Sequence, residues 1–368
     1  VVPNLAEEWS VSDDGMQYHF TLREDIRFHS GDPVTSGDVK FSLERLAQGT
    51  LAESGAVLGM REVEVIDDRN FIVHMSQPNS EFLRNMAGDG AAILNEEALL
   101  EYGEDYGRTY VDGTGPFRLE RYSPGEGVVM VRNEEYRWGP PIYENTGPAH
   151  LERVEWVYIP EPSTRILQLR SGGVEVVPPR LPGHMIASLE VDPTIYLEEY
   201  GLGVVVPIGY NVTKAPLDDV RVRKALNYAI DAETILTSVI YGQGTLADGL
   251  VARTAYGYWR EVGQYGQDYD PEEAARLLDE AGWELASDGL RYKDGQPLRV
   301  TFTYGINTII TPDGATVIQN FQEQARDAGF DIELRPLTPS EKFSGAFSTP
   351  DSYDAQGGYW TSPRSGIL

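Results

Sequence analysis

The stretch that most constrains the fold lies late in the chain. Leu298 to Tyr304 reads as a strand, Pro312 to Ala328 as a helix ended by Gly329, and Asp331 to Leu337 as a second strand. Strand, helix and strand at this spacing make a βαβ unit, which implies local parallel pairing. The local signals elsewhere are equally mixed. Asp270-Pro271-Glu272-Glu273 supplies an N-cap, a proline at the first helical position and an acid at the third, and that helix stops at Gly282. Asp218-Asp219 starts another helix, with Val222, Leu226, Ala229 and Ile230 on its apolar face. Thr35-Ser36-Gly37-Asp38 is a capping box, and Val39, Leu43 and Leu46 follow at helical spacing.

The first half carries more strand signals. Glu8 to Leu22 reads as a hairpin turning at Asp13-Asp14-Gly15, and Glu62 to Met75 as two strands. Ser80 to Met86 and Glu96 to Tyr102 read as short helices. The loop Gly113-Thr114-Gly115-Pro116 precedes strands at Phe117 to Tyr122 and Val128 to Arg132. Trp138 to Pro148 is a surface excursion rich in Pro and Gly, and Val154 to Ile159 is a strand. A helix from Ser163 to about Arg170 ends at Gly172-Gly173, and Val174 to Val177 reads as a short strand. Tyr292-Lys293-Asp294-Gly295 is a hairpin turn.

Composition bounds the function classes. The 368 residues suggest two or three compact units, and 41% hydrophobic with 10% aromatic residues is enough for real cores. No apolar run approaches the ~18 residues of a membrane span. The absence of cysteine excludes disulfides and thiolate metal sites. A formal charge of −28 opposes nucleic acid as a partner and reads as a solvated surface, with a cationic ligand or a salty habitat as the sharper alternatives.

Motifs for catalysis are missing. None of His19, His29, His74, His150 and His184 is within helical reach of another, and no HExxH, GxSxG or GxxxxGK[ST] pattern occurs. Gly113-Thr114-Gly115 precedes a strand rather than a helix, which disfavours dinucleotide binding. With 58 Asp and Glu, a carboxylate pair of the glycosidase kind has no specificity. No catalytic residue, metal site or cofactor is therefore expected. The chain opens at Val1 without Met and without a signal-peptide pattern, and a piece of a longer protein is expected.

Ordered motifs run along nearly the whole chain: Pro3-Asn4-Leu5-Ala6-Glu7-Glu8-Trp9, Phe28-His29-Ser30-Gly31-Asp32-Pro33-Val34-Thr35, Gly113-Thr114-Gly115-Pro116-Phe117, Ile159-Pro160-Glu161-Pro162-Ser163-Thr164-Arg165, and Ala215-Pro216-Leu217-Asp218-Asp219-Val220-Arg221-Val222-Arg223-Lys224-Ala225-Leu226-Asn227-Tyr228-Ala229-Ile230-Asp231. Together they resemble the family 5 extracellular solute-binding proteins of ABC importers. The resemblance implies an α/β, two-lobed periplasmic-binding-protein fold of type II, a clam-shell with an extra domain. It implies an extra domain over 1–112, part of the first lobe over 113–206, and an incomplete second lobe over 207–368 with a hinge near 207–211. Both ends of the clam-shell are then expected to lie outside this chain.

It also implies a monomeric receptor outside the cytoplasm, in the periplasm or anchored as a lipoprotein. Such a receptor captures a small molecule and delivers it to an ABC permease. A peptide is the first expectation, with an oligosaccharide or nickel chelate as the alternative and a secreted carboxylate-pair hydrolase as the alternative of a different class. Most motif residues serve the fold: Thr35 and Asp38 as caps, Arg221 and Arg223 in salt bridges on their helix. By resemblance the ligand candidates are Tyr359 and Trp360, at the end of a small-residue strand where a flat ring suits stacking; inter-domain packing is an equal reading for Trp360. Peptide-binding relatives place an Asp just after this Trp; here Ser362-Pro363-Arg364-Ser365 follows, which makes Arg364 a candidate for an anionic group. Tyr210 and Asn211 beside the hinge, and Tyr110 and Asp112 before the Gly113 loop, complete the set, with hinge packing the competing role for the first two.

Overall fold

The N-terminal hairpin pairs β1 (Ala6–Val11) with β2 (Gln17–Leu22), Trp9 opposite Phe20, around the turn expected at Asp13–Gly15. The computed structural model describes residues 1–48, 56–177, 181–199, 205–255, 257–305, 313–338, 340–341 and 352–357. The chain divides into two units, Val1–Ile159 and Pro160–Leu368.

In the first unit α1 (Ser36–Ala47), β3 (Met60–Val65) and β4 (Asn70–Met75) follow the hairpin, and the four strands form an antiparallel sheet in the order β1-β2-β4-β3. The period of two puts Tyr18 and Leu22 of β2 on the same face as Phe71, Val73 and Met75 of β4. That face forms one core with Val39, Leu43 and Leu46 of α1, and Phe20 stacks on Phe71 at 5.1 Å. The capping box is present. Thr35 accepts from the Asp38 amide, and the Asp38 carboxylate accepts from both the amide and the hydroxyl of Thr35. Thr35→Ala is expected to cost about 1 kcal/mol, read as a lower urea midpoint at unchanged slope. An unchanged midpoint would show that the cap contributes nothing.

Two short helices, α2 (Phe82–Met86) and α3 (Glu96–Tyr102), lead to β5 (Phe117–Ser123), β6 (Gly127–Arg132) and β7 (Arg153–Val157), an antiparallel sheet in that order. Gly127 has φ +155°, and a Cβ there would lie 1.9 Å from the Trp156 carbonyl oxygen, so only glycine lets β6 start this close to β7.

The second unit begins with α4 (Pro162–Ser171), closed by left-handed Gly172, and α5 (Gly183–Glu190). The strand expected at 174–177 is absent. The amides of Gly173 and Val174 both turn back to the Gln168 carbonyl at the helix end, Val176 is 79% exposed, and Val177 packs on the small cluster of Ile166 and Leu189, so the run folds against α4 and α5 without a strand partner. Next come β8 (Ile208–Tyr210), α6 (Val220–Tyr228), α7 (Ala232–Ser238) and α8 (Pro271–Glu280). The small antiparallel sheet of β9 (Glu284–Leu285), β10 (Arg291–Lys293) and β11 (Gln296–Pro297) turns at Asp294-Gly295, both at positive φ as the tight hairpin requires.

The expected βαβ unit follows as β12 (Arg299–Gly305), α9 (Gly314–Asp327) and β13 (Asp331–Leu337), and β12 runs parallel to β13 from Arg299 opposite Asp331 to Gly305 opposite Leu337. With β14 (Ala355–Gly357) the sheet order is β13-β12-β14-β8; β14 lies parallel to β12 and antiparallel to β8. Leu226 of α6, Leu278 of α8, Phe302 of β12, and Phe321 of α9 with Phe330 just beyond it make one core over this sheet. Its margin holds Arg291, 4% exposed, which donates to Asp279 Oδ1 (2.5 Å), the Trp283 carbonyl (2.7 Å) and the Ala328 carbonyl (3.2 Å).

Candidate functional site

In the first unit the candidates Tyr110 and Asp112 open a segment whose polar groups are tied down in sequence. Asp112 is 2% exposed; its Oδ1 accepts from the Ser30 amide and its Oδ2 from the Asn95 side chain, each at 2.8 Å. Asn95 spends its other side-chain atom capping α3, accepting from the Ala98 amide. Five consecutive carbonyls then find donors: Asp112 from the Tyr106 hydroxyl, Gly113 from the His29 amide, Thr114 from the Trp138 indole, Gly115 from His29 Nε2 and Asn133, and Pro116 from the Asn133 amide. A loop with this many satisfied groups is preorganised rather than adaptable. Tyr110 stacks face to face on Tyr102 at 3.8 Å, with Tyr106 tilted against it. Burial pushes the phenols of Tyr106 and Tyr110 above their ordinary value and the His29 imidazolium below 6.5.

In the second unit Tyr210 closes β8 and Asn211 follows it, 4% exposed. The Asn211 amide bonds the Asp354 carbonyl (2.8 Å), its side-chain nitrogen bonds the Tyr353 carbonyl (3.1 Å), and its oxygen accepts from the amide and hydroxyl of Thr213. Tyr210 donates to Asn227 Oδ1 at 2.7 Å, and burial raises its phenol. Asp354, just before β14, pairs with Lys214 at 2.6 Å and accepts from the Thr301 amide. Burial opposes its charge, yet these two donors hold its carboxyl below the usual value.

So Tyr110 and Asp112 lie in one unit, linked through Tyr106, and Tyr210 and Asn211 are neighbours in the other, each with its own partners. Tyr359, Trp360 and Arg364 lie outside the described residues. Sequence reading did not single out His29, Asn95, Asn133, Trp138, Lys214 or Asp354 as site residues. Only Asn95 had a local signal, standing before Glu96-Glu97 at a helix start. Arg221 forms the expected ion pair, with Asp219 at 2.6 Å. Arg223 departs from expectation: it donates to the Leu217 and Asp218 carbonyls, capping the turn that precedes α6. Among the described residues no group of three or more His, Cys, Asp or Glu is placed to hold a metal ion, and no helix is long and apolar enough to cross a membrane.

One unit packs helices on antiparallel sheets and the other on a mixed sheet, and the fold is that of the type II periplasmic-binding proteins. A solved structure with the same fold, NikA from Brucella suis in complex with Fe(III)-EDTA, superposes with a TM-score of 0.80 at 25% identity, covering 98% of this chain and 70% of that one. The chain belongs to the bacterial extracellular solute-binding proteins, family 5, matching the family's middle region over residues 1–364. It is 34% identical over 309 residues to the dipeptide-binding protein of Escherichia coli K12, covering 77% of this chain and 55% of that protein. It is 32% identical over 308 residues to heme-binding protein A of Haemophilus influenzae, covering 77% and 54%. The chain thus spans about half the length of these curated relatives. The family is one of binding proteins, not of enzymes, in line with the absence of catalytic motifs.

Proposed function

We propose that the protein is an extracytoplasmic receptor of an ABC importer that captures a peptide between two lobes and presents it to a membrane permease. The observation that carries this reading is the family match along residues 1–364, together with 34% identity to a dipeptide-binding protein. In this reading residues 1–112 are the extra domain, 113–206 belong to the first lobe and 207–368 to the second, hinged near 207–211. Tyr110, Asp112, Tyr210, Asn211, Tyr359, Trp360 and Arg364 contribute to the ligand side, and Trp360 stacks on a peptide plane. Lobe closure expels water and creates the surface the permease reads. Chemistry on the ligand is not part of the cycle.

A thermal-shift series tests it with dipeptides and tripeptides, cello- and manno-oligosaccharides, a nickel–histidine chelate and hemin. A peptide at 100 times its Kd is expected to stabilise the protein by about 2.7 kcal/mol, a rise of a few degrees in Tm. A shift with the chelate, hemin or a sugar and none with peptides overturns the peptide assignment. Turnover of any of these compounds overturns the receptor reading.

A further inference from the structure

We propose that His29 is a pH-sensitive latch on the Gly113 amide at the head of the Asp112–Pro116 segment: neutral, it holds the segment through both ring nitrogens, and protonated, it keeps the Gly115 contact but releases the Gly113 N–H. Nε2 lies 2.9 Å from the Gly115 carbonyl oxygen, which can only accept, so Nε2 carries the proton. Nδ1 lies 3.4 Å from the Gly113 amide nitrogen, which can only donate, so Nδ1 must keep its lone pair. One neutral tautomer satisfies both contacts. A second proton would land on Nδ1 and face the Gly113 N–H, donor against donor.

The surrounding charges decide how readily that proton arrives. Arg118 of β5 repels an imidazolium here, and Asp112 attracts one. The Asp112 carboxylate is already engaged by the Ser30 amide and Asn95, and Asp32, on the turn of His29 itself, accepts from the Ser30 hydroxyl. Burial of the ring outweighs the attraction and disfavours the charged form. The sign follows from linkage. Above 6.5 the ring is neutral in folded and unfolded chains, and the latch contributes in full. As pH falls through 6.5 the unfolded chain binds the proton first, and the contribution fades until the lowered folded value is passed. If the segment faces the ligand, as the receptor reading has it, mild acid also weakens ligand binding.

The test follows the His29 ring signals and backbone amide exchange by NMR from pH 7.5 to 4.5, with His29→Gln and His29→Asn alongside. His29 is expected to titrate below 6.5. The Gly113 amide is expected to lose about tenfold protection, corrected for intrinsic exchange, in step with that titration. His29→Gln, which keeps a donor and cannot titrate, should remove the step. A His29 midpoint at or above 6.5, or Gly113 protection that stays flat through the titration, overturns the latch. Dipeptide affinity measured at pH 7 and pH 5 separates the two readings. A latch step with affinity unchanged upholds the latch and rejects Asp112 as part of the ligand side. Failure to bind peptide at either pH rejects the peptide assignment while the exchange data still decide the latch.

Discussion

Arg291→Ala, at the margin of the core, is expected to lower the stability of the second unit by about 3–4 kcal/mol. The guanidinium joins three acceptors: the Asp279 carboxylate and the carbonyls of Trp283 and Ala328, just past the ends of α8 and α9. Asp279 is largely exposed and regains water when the arginine is lost, so the ion pair itself is a small part of the effect. The two carbonyls, each worth about 1–3 kcal/mol when left unpaired in a buried site, and the space vacated by the aliphatic stem make up the rest. The stem lies against Gly329, where a Cβ would come within 2.6 Å of Arg291 Cγ, so the site closes poorly around a smaller residue. Arg291→Lys keeps the charge without the fork and should fall between, at about 2 kcal/mol. Urea unfolding followed by far-UV circular dichroism measures both. A loss below about 1 kcal/mol for Arg291→Ala would mean that water replaces the guanidinium freely, and the pinning role would be abandoned.

For Phe302→Ala the expected loss is about 3–5 kcal/mol, by a different route. Phe302 is 2% exposed in β12, with β13 on one side and β14 on the other. Its ring packs on Phe321 of α9 at 5.3 Å and leans on Tyr304 at 6.1 Å. It also fills the room left by the missing side chain of Gly357, where a Cβ would approach Cζ to 2.8 Å. Truncation therefore opens a cavity between sheet and helix and removes the ring that β14 rests on. Phe302→Leu should retain most of the packing and cost about half as much. The decisive comparison is the slope and midpoint of the same urea transition. An alanine variant within about 1 kcal/mol of the parent would show that α9 and β14 collapse into the gap.

Much of the fold was legible because its signals are local. Thr35 with Asp38 marks the start of α1, Asp270 with Pro271 the start of α8, and each cap bond is made within three residues. Gly282, at φ +84°, and Gly329 stop helices where the sequence places them. The parallel pair of β12 and β13 could be read for the same reason, since α9 is the crossover helix between its strands. Legibility ends where the partner is distant. Nothing near Asp112 announces Ser30, 82 residues earlier, and nothing near Asn211 announces Tyr353, 142 residues later. The three-residue strands β8 and β14 carry too little pattern of their own, and only the family resemblance pointed to strands there. Residues 174–177 fail in the opposite sense: their β-branched content suits a strand, but the capped end of α4 leaves them no partner. The candidates beside the Gly113 loop came from the family resemblance, whereas the imidazole that holds the loop was visible only once the chain was folded.

The pairing of β8 with β14 has a consequence in time. Tyr210 sits opposite Ala355, so about 145 residues must be made after the first strand before the second exists. At ribosomal speeds of about 5–20 residues per second, β8 leaves the tunnel roughly 7–30 s ahead of its neighbour. During that interval β12 can acquire β13 but not β14, and one rim of the growing sheet stays open. An open rim in a cell is a place for strangers to dock. A chain arranged this way completes its sheet last at the point where it first left it.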